Sequence, residues 1–274
     1  MEKRKQHYIP QFYLNYFTDP SIPPMHSPYL WVYDKITETI KNKAPKNIAY
    51  ENGYNDIIDE QGNISLIVED QFQEIESDVS KVFRKIINQK FISRKERLLL
   101  CKFIISTKLR VPMIKDKFRD FVVSGDIKEL SNCNINVDNI SPDLMMDSVI
   151  RTTHVASHLL LKMDWSLLTA PYGMSFITSD NPVVVRNPNN LSMKLCGFSS
   201  SPDVQVTFPL SSHICLFGSW GRYRRVIEEV SIDEVNEINF DTFKYSDKYL
   251  FSSSKDYDKK ILLVNNLVNR GLIH

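Results

Sequence analysis

Nowhere in the 274 residues is there an apolar run approaching the roughly 20 side chains that a helix needs to span a bilayer. The first residues, Met1 to His7, are polar, so no secretory leader is expected and no membrane partner. Cysteine is scarce: Cys101, Cys133, Cys196 and Cys215 lie far apart and never in a CxxC spacing. That spacing fits free thiols in a reducing, cytoplasmic setting better than a disulfide framework or a structural zinc site. Charge of either sign is not in excess. With 34 Lys and Arg against 33 Asp and Glu, the net charge of +1 gives no support to wholesale attraction to nucleic acid. There is no Walker A loop, no GxGxxG, no EF-hand, no GxSxG elbow, no internal repeat and no low-complexity tract.

What is present is an ordinary globular balance, 42% hydrophobic and 24% charged. A chain of this length can bury about three quarters of its extended surface, so its core needs no staple. The segment Gln11–Phe17, dense in aromatics, begins after Pro10, a residue suited to a helix's first turn. Leu30–Asp34 reads as a strand and Thr37–Lys41 as its hairpin partner, whereas 45–62, with its Asn-Gly and Gln-Gly pairs, reads as loop and turn. Helices are expected over Leu66–Gln89, from Ser93 toward Pro112, and over Pro142–Met163. The second opens with the capping box Ser93-Arg-Lys-Glu96.

Short β-type runs follow: Trp165–Thr169, Ser175–Ser179, Pro182–Arg186, Val204–Phe208 and His213–Gly218. A helix over Ile232–Tyr245 and a strand over Tyr249–Ser252 close the pattern. This order is α+β: a helical, bundle-like segment packed on a mostly antiparallel sheet that the N-terminal hairpin joins. It is compatible with a single domain over 1–274, or with two intimate lobes (1–163 mainly helical, 164–254 mainly β) and a tail over 255–274.

The sharpest signals are polar residues at apolar positions. On the Leu66–Gln89 helix, at about 100° per residue from Phe72, Val79, Phe83 and Ile86 fall within about 40° of one line. Glu76 and Glu69 fall at about 40° and 60°, on the shoulder of that stripe, while Glu74 faces away at about 200°. A carboxylate turned toward a core must be paired, hydrogen-bonded, protonated or metal-bound. Arg110, on the inward face of the next helix, could clamp Glu76 or Asp180, or grip a substrate phosphate. Asp180 and Asn181 leave a strand just before Pro182, where an Asx turn and a functional loop are both natural. His7 and Gln11 stand i, i+4 at the N-terminus. His154 and His158 share that spacing but lack the Glu of HExxH and any visible third ligand.

Five segments carry a wider likeness: His7-Tyr-Ile-Pro-Gln11 with Phe12-Tyr13-Leu14, Leu30-Trp-Val-Tyr-Asp34, Lys108-Leu-Arg-Val-Pro112, Phe176-Ile-Thr-Ser-Asp-Asn-Pro182 and Phe208-Pro-Leu-Ser211. With these the chain resembles domain-of-unknown-function family 4238 over roughly residues 5–255. The resemblance implies a cytoplasmic, mostly bacterial protein, and no activity.

Two functional expectations follow from the residues. In the first, the chain is a hydrolase acting on a phosphodiester, nuclease-like, with a place in phage defence or as a toxin. His7, Glu76 and Asp180 are catalytic, Gln11, Arg110 and Asn181 hold substrate, and Glu69, Glu76 and Asp180 bind Mg or Mn. This requires the side chains to converge in one pocket. In the second, the same polar groups hold an architecture together, and the aromatics Tyr8, Phe12, Tyr13, Tyr16, Phe17, Trp31 and Tyr33 shape a pocket that recognises a ligand or partner.

Overall fold

A computed structural model describes residues 5–58, 64–65, 67–114, 142–186, 201–221 and 226–255. The loop expected over Ser131–Ser141, Cys133, Cys196 and the tail after Lys255 lie outside these residues.

The architecture is α+β. A short strand β1 (Lys5–His7) leads through Pro10, extended at the N-cap, into α1 (Gln11–Leu14) and a single 3-10 turn, Asn15–Phe17. Strands β2 (Leu30–Asp34) and β3 (Thr39–Lys43) form the expected hairpin. The partner starts two residues later than its pattern suggests, because Asp34 Oδ1 accepts from the N–H groups of Ile36 and Thr37 and holds a wider turn. After a 3-10 turn at Pro45–Asn47, β4 (Tyr50–Asn52) returns to pair antiparallel with β1, so the stretch read as loop carries a two-stranded ribbon. A further small pair, β5 (Ile57–Ile58) and β6 (Ile64–Ser65), precedes the helices.

Helix α2 (Ile67–Ile87) buries Phe72, Val79, Val82, Phe83 and Ile86, the stripe expected from its period, and leaves Glu74 exposed. Helix α3 (Arg94–Arg110) begins at Ser93 with both halves of the capping box made. It stops at Val111, whose extended backbone (ψ 139°) is what a following proline enforces. Helix α4 (Pro142–Lys162) packs on α3, which in turn packs on α2.

The later strands divide between two sheets. Strands β7 (Asp164–Thr169), β9 (Val184–Arg186), β10 (Gln205–Pro209), β11 (Ile214–Ser219) and β12 (Ile227–Glu229) form a five-stranded sheet in the order β12-β7-β11-β10-β9, antiparallel except for the β12–β7 pair. Strands β8 (Thr178–Ser179) and β13 (Tyr249–Ser252) extend the N-terminal hairpin into a sheet ordered β3-β2-β13-β8. Helix α5 (Ile232–Tyr245) opens with a second capping box, Ser231 with Glu234.

Tyr13 ties these layers together. Fully buried, its ring stacks on Phe208 with centroids 5.2 Å apart, and its hydroxyl reaches Thr178 Oγ1 at 2.6 Å and donates to the Pro209 carbonyl at 2.8 Å. Thr178 belongs to one sheet and Pro209 to the other, so one phenol on α1 bridges both. Phe12, Phe83 and Phe103 complete the aromatic core around it, mostly edge to face. The largest buried cluster draws on α1, α2, α3, α4 and strands of both larger sheets.

Candidate functional site

The polar residues picked out by periodicity fall into two neighbourhoods. In the first, Arg110 is buried at the end of α3, with its guanidinium 4.4 Å over the Phe72 ring. Its Nη1 donates to Glu76 Oε1 at 2.7 Å. Burial pushes the Glu76 carboxyl above its ordinary pKa, with Glu69 adding to the rise and Arg110 opposing it. Glu69 accepts from Asn55 Nδ2 at 2.8 Å and from Gln73 Nε2 at 3.2 Å.

His7, at the end of β1, faces its register partner Tyr50 with ring centroids 5.4 Å apart. Its Nδ1 lies 3.4 Å from Gln11 Nε2, and Nε2 is buried without a hydrogen-bond partner of good geometry. Burial holds the imidazole below its ordinary pKa, against the pull of the Lys46 carbonyl and the Glu69 charge. The Glu69 charge therefore acts on both His7 and Glu76. Two side-chain pairs result, His7 with Gln11 and Arg110 with Glu76, with Glu69 held by Asn55 and Gln73.

Asp180 and Asn181 lie in a second neighbourhood and are fully engaged there. Asp180 accepts from three successive backbone N–H groups: Asp247 at 2.9 Å, Lys248 at 2.7 Å and Tyr249 at 2.7 Å. Burial drives its pKa up and these three donors pull it back. Asn181 Oδ1 accepts from the buried Lys108 Nζ at 2.9 Å, while Asn181 Nδ2 donates to the Tyr245 carbonyl at 2.7 Å. Lys108 also reaches the Val183 carbonyl at 2.8 Å. Ser179 is buried, and its Oγ accepts from the Asn181 N–H.

The expected metal set is corrected by this arrangement. Among the described residues no three His, Cys, Asp or Glu side chains come together as a metal site, so Glu69, Glu76 and Asp180 do not share a position for Mg or Mn. Asp180 is turned to the 247–249 backbone and Glu76 to Arg110, so the carboxylates face different partners. The rings of His154 and His158 lie 4.5 Å apart at a tilt of 48°, but His158 Nδ1 is 2.8 Å from the carbonyl of His154.

Between the ribbon and the β2–β13 pair lies a cleft of about 240 Å³. Tyr8, Tyr50 and Tyr249 line it with Lys43 and Asn47, over an apolar floor of Val32, Ile48, Ala49 and Phe251. Ala49 takes a left-handed backbone (φ 52°), and its carbonyl receives the Tyr8 N–H at 3.0 Å, which fixes one wall. The other wall is set by Asp180, whose hold on residues 247–249 places Tyr249. Lys5 Nζ sits 4.4 Å over the Tyr50 ring and Lys248 Nζ 4.9 Å over that of Tyr249. Burial, with Asp180, Glu51 and Asp247 nearby, raises the Tyr8 phenol well above its ordinary pKa, so Tyr8 remains a neutral hydrogen-bonding group. Tyr8 was visible in the aromatic N-terminus. Tyr50, Tyr249, Lys43 and Asn47 gave no signal, because each sits singly in a short strand or turn.

Fold and cleft together define an α+β protein whose aromatic wall is braced by a buried carboxylate. The chain belongs to the family described as Protein of unknown function (DUF4238), whose model matches residues 5–256. No curated protein and no solved structure matches the chain. Among the described residues no helix is long and apolar enough to cross a membrane.

Proposed function

We propose that this protein is a recognition module that takes up a small ligand with a flat ring and an anionic group in the tyrosine cleft, without breaking a bond in it. The observation that carries this reading is the lining itself. Three tyrosine rings offer stacking faces and phenolic hydrogen bonds, and Lys43 supplies a cation at the lining. The volume, about 240 Å³, suits a single ring-bearing molecule rather than a polymer. The expected polar residues serve this cleft indirectly: Asp180 and Asn181 brace its wall rather than touch a ligand. Free, buried Cys101 and Cys215 support a reducing compartment.

The test is calorimetric titration of the full chain with nucleobases, nucleoside monophosphates and aromatic carboxylates. Saturable binding of a ring-bearing anion, weakened at least about tenfold by Tyr249→Ala, is expected from the loss of one stacking face. Absence of binding across the panel would refute it.

A phosphodiester hydrolase is the second reading, favoured only by the Glu69 charge acting on both His7 and Glu76. Its test is Mn²⁺ with RNA and DNA: turnover by the wild type that disappears in Glu76→Gln would displace the recognition reading.

A further inference from the structure

Arg110 is half used. It is 5% exposed, its carbonyl accepts from Tyr54 Oη at 2.5 Å, and its guanidinium carbon sits 4.4 Å over the Phe72 ring. Nη1 is given to Glu76, but Nε and Nη2 are buried with no hydrogen-bond partner. Those two nitrogens are not an arbitrary pair. The Nε–H and the neighbouring Nη2–H point the same way in the guanidinium plane, and together they make the two-pronged edge that fits the paired oxygens of a carboxylate or phosphate. Leaving two donors of an ionised group buried and unsatisfied is costly, so such groups nearly always have an acceptor. Glu76 already occupies the remaining nitrogen, and Glu69 is committed to Asn55 and Gln73.

We propose that the Nε–Nη2 edge of Arg110 is a receptor for an oxyanion, a carboxylate or phosphate group, separate from the tyrosine cleft. The neighbouring Glu76 side chain keeps 23% of its surface exposed while that of Arg110 keeps 4%, so the site lies close below the surface. Phe72 lies against the guanidinium, its ring centroid 4.4 Å from the central carbon. Glu76 and Glu69 oppose an incoming anion electrostatically, so the site is tuned weak, and the strength of the Arg110–Glu76 pair sets how weak. This inference does not depend on the function proposed for the cleft.

The experiment is titration of the full chain with sodium phosphate and, separately, sodium acetate, against chloride at constant ionic strength and pH 7, read by calorimetry and thermal unfolding. Saturable binding of at least one anion is expected; phosphate alone identifies a phosphate-bearing ligand, and acetate alone a carboxylate. Arg110→Lys, which keeps the charge but not the fork, should weaken it at least about tenfold. Should that variant fail to fold, Glu76→Gln decides. Its amide oxygen can still accept from Nη1, and removing the repelling charge should tighten anion binding at least about fivefold. Any anion binding that Lys43→Ala removes belongs to the cleft and not to this edge. The proposal is overturned if neither anion binds the wild type and Glu76→Gln, which would leave the edge to an ordered water. It is equally overturned if binding survives Arg110→Lys, or if Lys43→Ala abolishes it.

Discussion

Replacing Asp180 by Asn changes no volume and removes one charge, which makes it a clean probe of the brace behind Tyr249. The wild-type carboxylate accepts three backbone N–H groups, one on Oδ1 and two on Oδ2. An amide offers one acceptor oxygen. In its better orientation it keeps the Lys248 and Tyr249 bonds and turns its NH₂ toward the Asp247 N–H. One charge-assisted bond of about 1.5–3 kcal/mol is lost, and a donor is left facing a donor, at about 1–3 kcal/mol. Part of this is offset, because burial disfavours the ionised carboxylate that Asn replaces. A net loss of about 2–3 kcal/mol remains. Urea unfolding followed by far-UV circular dichroism and by fluorescence should show a lower midpoint at unchanged slope. Ligand affinity at the cleft should fall in parallel, since Tyr249 loses its anchor. A loss under about 1 kcal/mol, or full stability with ligand binding abolished, would refute the bracing role and return Asp180 to the list of groups that touch ligand.

Other perturbations have equally definite outcomes. Tyr13→Phe keeps the stacked ring but strands the Pro209 carbonyl and unpairs Thr178, so it should cost about 1–3 kcal/mol by the same unfolding assay. His7 titrates below its ordinary value of about 6.5 in the folded chain, so the unfolded chain binds its proton first. Its contribution to stability is therefore present above about pH 6.5 and lost as pH falls toward the folded pKa; His7→Gln should remove that acid-side slope in unfolding free energy. The thiol of Cys101 is pushed up to about 12 by burial, and that of Cys215 is also raised. In a Cys133→Ser, Cys196→Ser background, a thiol reagent at pH 8 should label neither until denaturant is added.

Periodicity and capping chemistry carried much of the fold. Leu30–Asp34, Ile232–Tyr245 and Tyr249–Ser252 occur with the boundaries their patterns imply, and Ser93 caps α3 as its box requires. The helical wheel also put Glu76 on the shoulder of the buried stripe and Glu74 in solvent, because an angle along one helix is a local quantity. The choice of Glu76 over Asp180 as the partner of Arg110 is long-range and stayed open. What stayed hidden was long-range. The β1–β4 ribbon pairs three-residue strands some forty positions apart, too short to show a period of two. Asp180 displays itself as a candidate base, yet its partners are backbone N–H groups 67 to 69 residues away, which no side-chain pattern advertises. The cleft follows from both failures: its walls are that ribbon and that brace.

The central claim, that Tyr8, Tyr50 and Tyr249 jointly contact a ligand, is tested most directly by nuclear magnetic resonance of protein labelled with ¹³C at tyrosine. On titration with the tightest ring-bearing anion of the panel, the account predicts saturating shifts at Tyr8, Tyr50 and Tyr249 with one common midpoint, while the core ring of Tyr13 stays fixed. Shifts confined to tyrosines outside the cleft, or calorimetric binding with all three resonances unmoved, would contradict it.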